Sequence, residues 1–341
     1  MSVSPTGRQR RLSLAVALLT ALLTVLGAMT PAHAEDPNTD DEGAPKTLRE
    51  KLEVAAKQYY DTRSQLVASQ KRQAQIHKTL REAELTLARL NVEVAKIAAA
   101  RYKGGQLGIL NGLFTGQGDP DRLLDAAAIS EYMVWRDDEQ LHRYREARDV
   151  ATSQQVLLTA EIQNEKKQLA QLDKVKRNAE KALASVGGLV TAGYSGPVPD
   201  AQPAPRTASG GWPREKCSVK DPTGTGGCIT PRMYHLLTEA RLAGFIRFTK
   251  CWRSQSWGEH PRGLACDFSA NTGNFGGDAT GLSKTYGNRL AAWAKNNAEA
   301  LGVIYVIWYR QIWFPGVGWR SYTSCCDASS KHTNHVHISM L

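Results

Sequence analysis

Two stretches near the end of the chain decide the fold: Glu259-His260-Pro261-Arg262-Gly263-Leu264-Ala265-Cys266-Asp267-Phe268 and His332-Thr333-Asn334-His335-Val336-His337-Ile338-Ser339. Side chains alternate along a strand, so the second stretch puts His335 and His337 on one face and Val336 and Ile338 on the other. The two imidazoles then stand about 7 Å apart and look into the same space. In the first stretch Leu264, Cys266 and Phe268 share a face, and Ala265 and Asp267 share the opposite one. Small Ala265 leaves room beside Asp267, and Gly263 lets the chain turn so that His260 folds back toward it. Both strands therefore pair an apolar face with a face of imidazoles and a carboxylate. Two His and one Asp converging, with a fourth position open to water, form the ligand set of a catalytic zinc.

Working outward, these stretches belong to a compact α+β domain expected over residues 212–341. Pro231 to Ala243 and Gly287 to Leu301 read as helices. Phe245 to Cys251, Leu264 to Phe268, Val303 to Trp308 and His335 to Met340 read as strands. The aromatic run Ile304 to Trp313, with Trp319, is expected mainly as core strand, and in part as the wall of a groove for glycan or peptide. All six cysteines, Cys217, Cys228, Cys251, Cys266, Cys325 and Cys326, fall in this domain. An even count in a small exported domain reads as a disulfide framework. Cys217 with Cys228 would close a Gly-rich loop, and the neighbours Cys325 and Cys326 are expected to reach two different partners. No C-x-x-C pair is present, which argues against zinc held by thiols.

The charge is uneven. From Trp212 onward there are 15 Lys+Arg against 8 Asp+Glu, a net of +7, whereas residues 35–211 balance 25 against 25. A basic exported domain suits an anionic neighbour such as a cell-wall polymer or acidic lipid. The chain shows no interleaved basic and aromatic pattern, so nucleic acid is not an expected partner.

Export is read from residues 1–34. Arg8, Arg10 and Arg11 precede an uncharged, mostly apolar run from Leu12 to Met29, and Ala32-His33-Ala34 is a small-x-small cleavage site. The expected location is therefore secreted, extracytoplasmic and associated with the cell wall. Residues 35–46 are polar and acidic, a flexible leader.

Between leader and domain lies a region of helical periodicity, expected over 47–185. Thr47 to Tyr102 contains no Gly or Pro, and Leu48, Leu52, Ala55, Tyr59, Leu66, Leu80, Leu87, Leu90, Val94 and Ile97 recur three and four apart. A second helix is expected from Asp119 to Ser185, with Pro120 in its first turn. Its apolar stripe would run through Leu123, Leu124, Ala127, Ile129, Tyr132, Met133, Leu141, Val150, Leu158, Ile162, Leu169 and Leu172. Together they make a long antiparallel coiled-coil hairpin, with a tip at about 103–120 that carries Ile109, Leu110, Leu113 and Phe114. The tip is read either as a small apolar cap or as a docking surface. Residues 186–211, rich in Gly, Pro, Ala and Ser, are expected to be an extended, mobile linker.

The segment from Ala100 to Phe114, followed by Gly118 to Leu124, resembles the hairpin tips of coiled-coil domains on bacterial peptidoglycan hydrolases and their activators. That resemblance implies docking on an ABC-transporter-like membrane protein of a division complex. His260-x-x-Gly263-x-Ala265-x-Asp267 with His335-x-His337 resembles the zinc peptidases that cleave peptidoglycan peptides, the LAS group, and its D-Ala-D-Ala carboxypeptidase branch in particular. The resemblance implies that fold, zinc bound by His260, Asp267 and His337, and a catalytic role for His335 beside the metal. Arg253, in Cys251-Trp252-Arg253-Ser254, is similar to the branch's Tyr-Arg-Ser element, which implies binding of a substrate carboxylate or a developing oxyanion. Gly258 stands where the branch has a motif serine, and no Glu precedes His337 at the spacing of its general base. That role then falls to His335 or His332. Two functions follow as expectations: a secreted zinc-dependent peptidoglycan peptidase, endopeptidase or carboxypeptidase, or a non-catalytic wall-binding or hydrolase-activating protein on the same scaffold. A purely adhesive surface protein is a third.

Overall fold

The computed structural model describes residues 46–104 and 120–341. The expected export segment, almost all of the expected leader, and the expected hairpin tip with Ile109, Leu110, Leu113 and Phe114 lie outside the described residues. The architecture is α+β: a long helical hairpin is followed by an antiparallel sheet domain with three disulfides. No helix among the described residues is long and apolar enough to cross a membrane.

Helices α1 (Lys46–Gly104) and α2 (Pro120–Leu183) form the hairpin, about 90 Å long at 1.5 Å per residue. The expected stripe of α1 is where the chain buries Leu48, Leu52, Ala55, Leu66, Leu80 and Leu90. The stripe assigned to α2 holds only in part: Leu158 packs against Leu80, Ala83 and Ala151, and Leu141 and Leu172 are half-buried. Leu124, Ile129, Tyr132, Met133, Val150, Ile162 and Leu169 are exposed, and the buried positions are Asp137, Ala151, Gln168, Val175, Ala179, Ala182 and Leu183. Polar contacts replace apolar ones along much of the shaft. Glu161 takes hydrogen bonds from Ser69 and Arg72, Glu165 from Gln70 and Gln73, and Asp137 from Arg101.

The sheet comprises β1 (Gly187–Val190), β4 (Thr249–Lys250), β5 (Ala265–Ser269), β6 (Val303–Trp308), β7 (Gln311–Phe314), β8 (Gly318–Tyr322) and β9 (His335–Met340), in the order β1-β8-β7-β6-β9-β5-β4. A short ribbon, β2 (Val219–Lys220) with β3 (Cys228–Ile229), stands apart. Strands β6 and β9 begin and end where the sequence places them; the aromatic run expected as core strand divides into β6 and β7, with Trp319 in β8, whereas β1, β2 and β3 were not anticipated. One face of the sheet is covered by α3 (Pro231–Leu242), α4 (Gly281–Asn296) and α5 (Ala298–Leu301). There Val336, Ile338, Met340, Cys266, Phe268, Val306 and Trp308 pack with Met233, Leu236, Leu290 and Trp293. Thr230 caps α3 by accepting from Met233 N, with Pro231 in the first turn.

The opposite face receives the root of the hairpin. Leu48, Leu52, Ala55, Ala56, Tyr60, Val175, Ala179 and Leu183 pack on Tyr305, Ile307, Ile312, Phe314 and Tyr322. The Tyr60 hydroxyl lies 2.6 Å from Val303 O and 3.1 Å from Ala298 O. The aromatic run is thus core: Tyr305, Trp308, Trp313 and Trp319 are all buried.

Residues 186–211 are not a free linker. Gly187 turns at φ +112 out of the 3-10 turn that ends α2, and the chain enters β1 against β8. Beyond it, Asn297 Oδ1 accepts from Ala201 N at 2.8 Å, Ala204 N donates to Ala300 O at 2.9 Å, and the Arg206 guanidinium stacks on Trp212. Composition suggested mobility, but hydrogen bonds and buried Ala201 and Ala204 make the segment a strap along the domain.

Cys217 pairs with Cys228 as expected, and Cys251 pairs with Cys266. Cys325 and Cys326 do not reach separate partners; they bond to each other, because the other four thiols are already paired among themselves.

Candidate metal centre

The site grows from the pairing of β5 with β9. Their register sets Asp267 opposite His337 and Ser269 opposite His335. Cross-strand partners share a face, so the carboxylate and both imidazoles point to the hairpin side. His260 arrives from a 3-10 turn, His260–Arg262, that Gly263 closes at φ +69 while donating to His260 O. A Cβ on Gly263 would lie 2.5 Å from Ile229 Cα, so glycine is required there for both the turn and the close approach.

One ligand atom from each of His260, Asp267 and His337 lies within 4.8 Å of the others, and all three residues are at most 2% exposed. His260 Nε2 is 3.3 Å from Asp267 Oδ2 and 3.3 Å from His337 Nδ1, and His337 Nδ1 is 2.9 Å from Asp267 Oδ1. A tetrahedral ion about 2.0–2.1 Å from each donor needs donor–donor edges of about 3.3–3.4 Å. The two separations from His260 match that edge, while His337 Nδ1 sits closer, at 2.9 Å, to the other carboxylate oxygen; the three side chains could hold a metal ion.

Hydrogen bonds behind these side chains set which ring nitrogen faces Asp267. His260 Nδ1 faces Cys251 O, which can only accept, so Nδ1 carries a proton and Nε2 is the ring nitrogen turned toward Asp267. His337 Nε2 is 2.7 Å from Ser339 Oγ. A hydroxyl serves either tautomer: it donates when Nδ1 carries the proton toward Asp267, and accepts when Nδ1 is a ligand. Such outer contacts orient ligating imidazoles and set their basicity.

Burial alone would raise the Asp267 carboxyl; His260, His335 and Arg253 outweigh it and hold the group well below the usual carboxylate range. Asp267 is thus an anion looking for positive charge. Arg253 Nη1 supplies some, 2.8 Å from Asp267 Oδ2, with its side chain 31% exposed. Only six residues separate Arg253 from His260, yet the fold brings both to the same carboxylate. Asp221 makes this possible by accepting from Trp252 N and so fixing the backbone beside Arg253.

His335 is 4% exposed, with Nε2 3.6 Å from Asp267 Oδ1. Asn334 Oδ1 accepts from its Nδ1, so Nε2 is the ring nitrogen that faces the site. His332 is also buried, its ring 4.8 Å from that of His335. Three contributors escaped the sequence reading. Ser339 could have been found, since it lies two residues beyond His337 on the same strand face. Tyr305, whose ring stacks on His337 with centroids 5.6 Å apart, sits past a register shift between Val303 and Tyr305. Arg49 comes from the hairpin, and its side chain bonds Tyr305 OH and Glu259.

A family model described as "VldE, C-terminal domain" matches residues 225–336, about a third of the chain. The match takes in Arg253, His260, Asp267 and His335 and stops one residue before His337. No curated protein matches the chain.

Proposed function

We propose that the protein is an extracytoplasmic zinc-dependent peptidase acting on the peptides of peptidoglycan. One observation carries this reading: two imidazoles and an anionic carboxylate, all buried, meet within 4.8 Å of one another beside a partly exposed arginine. The resemblance of His260-x-x-Gly263-x-Ala265-x-Asp267 and His335-x-His337 to zinc peptidases supplies the substrate class. Zinc held by His260, Asp267 and His337 would supply Lewis acidity toward a carbonyl and a bound water of lowered pKa. His335 takes the proton as general base through Nε2. Arg253 binds the substrate carboxylate or the developing oxyanion, moving part of its charge from Asp267 to substrate. The basic domain holds the protein to anionic wall polymer, and the three disulfides suit an oxidising compartment. The hairpin tip would meet a membrane protein of the division machinery.

The test is incubation of the disulfide-intact chain with zinc and purified muropeptides, read by mass spectrometry. Cleavage that disappears in His260→Ala and His337→Ala supports the peptidase; intact muropeptides with the wild-type chain contradict it. A non-catalytic wall-binding protein is the second reading. It is favoured by the Arg253–Asp267 ion pair, which neutralises the site's carboxylate with a side chain of the protein itself. On that reading wall binding persists in both variants.

A further inference from the structure

The turn that carries His260 is gripped at both ends by the hairpin. Glu259, just before the ligand, accepts from Arg49 Nη1 at 3.5 Å. Arg262, two residues after it, gives a two-pronged bond to Glu53, with distances of 2.7 and 2.8 Å. Arg49 and Glu53 are four apart on α1, hence neighbours on one helix face. Their charges run Arg then Glu, against Glu then Arg on the turn, so the two pairs complement each other in one direction only.

The first pair is buried, with both side chains 4% exposed. The second is outside, 51% and 36% exposed. Arg49 also bonds the hydroxyl of Tyr305, whose ring lies nearly parallel to His337, at 10°. A single guanidinium from the hairpin therefore reaches two of the three ligands: His260 through Glu259, and His337 through Tyr305. Leu48 and Leu52 beside it pack into the same cluster as Tyr305 and Ile307, which fixes the depth of the root.

We infer that the hairpin root is part of the metal centre: Arg49 is a positioning residue for His260 and His337, so that metal affinity and hairpin docking are coupled. This rests on the metal reading above and deepens it. By linkage, whatever factor docking adds to metal affinity, bound metal returns to docking. A partner that hydrogen-bonds a ligand directly carries about 10–100-fold in metal affinity; Arg49 acts one residue further out and should carry the low end of that range, whereas an exposed ion pair carries a few-fold at most.

The experiment is a chelator-competition measurement of zinc affinity on the full chain. The variants are Arg49→Met, Glu53→Arg, Arg262→Glu, the double Glu53→Arg/Arg262→Glu, and Asp267→Ala, with helicity checked by circular dichroism. The expected result is about tenfold weaker binding for Arg49→Met, the low end for a direct partner of a ligand, and about 2–5-fold for each exposed single variant. The double, which restores opposite charges, should return to within about twofold of wild type. Since Glu53 and Arg262 are exposed, their variants remain informative even if Arg49→Met fails to fold. Wild-type affinity in both single charge reversals, with binding abolished by Asp267→Ala, overturns the coupling and leaves the metal centre standing. No zinc bound by the wild-type chain sinks both.

Discussion

Strand β9 has two faces that live in different surroundings. Val336, Ile338 and Met340 press into α3 and α4, in a core of aliphatic and aromatic side chains. His335, His337 and Ser339, one residue out of phase, are equally buried but meet Asp267, Arg253, Tyr305 and the hairpin root. Equal burial therefore conceals opposite energetics. Apolar groups gain by leaving water, whereas imidazoles and carboxylates must find partners or lose their hydration uncompensated. The helix-covered face holds the domain together; the other face spends stability to keep a charged cluster dry.

If that contrast is right, the two faces fail differently. Ile338→Ala should cost about 2–5 kcal/mol of stability as a core truncation. Chemical denaturation checks it, while zinc stoichiometry of the folded fraction should stay unchanged. One residue along, Ser339→Ala removes the partner of His337 Nε2. Zinc affinity should fall by about tenfold, with a smaller change in melting than Ile338→Ala produces. Equal metal losses in the two variants would erase the distinction between the faces.

A smaller effect lies in the shaft, where polar seams replace the core. Hydrogen bonds from Arg72 and then Ser69 pull the Glu161 carboxyl down from its ordinary value to about 2. A lowered carboxyl contributes stability above its unfolded value, about 4.3, and loses it as pH falls through about 2. Hairpin melting followed by circular dichroism should therefore decline between about pH 4 and 2. Glu161→Gln should flatten that slope and shift melting by only a few degrees.

How much was legible in the sequence follows from the same contrast. β5 and β9 were readable because strict alternation marked an apolar face and a chemical face, which put Asp267, His335 and His337 together; the choice of His260, Asp267 and His337 as ligands came from the resemblance to zinc peptidases. Tyr305 was hidden, since the register shift before it breaks the alternation of β6. On α1 the stripe held its phase. On α2 the apolar residues drift around 64 positions, and buried Asp137 and Gln168 carry no apolar signal. The strap was misread because Gly, Pro and Ala look flexible locally, while its anchor Asn297 lies 96 residues from Ala201. Arg49 gave no hint, being one charge among many on a helix. Its meaning depends on Glu259, 210 residues away.

The account rests on a cation seated among His260, Asp267 and His337. Crystals of the disulfide-intact chain grown with zinc, measured on both sides of the zinc absorption edge, test this most directly. The prediction is one anomalous peak about 2.0–2.2 Å from His260 Nε2, His337 Nδ1 and an Asp267 oxygen, absent in Asp267→Ala. A zinc-soaked crystal with Arg253 still on Asp267 and no peak between the three side chains would contradict it.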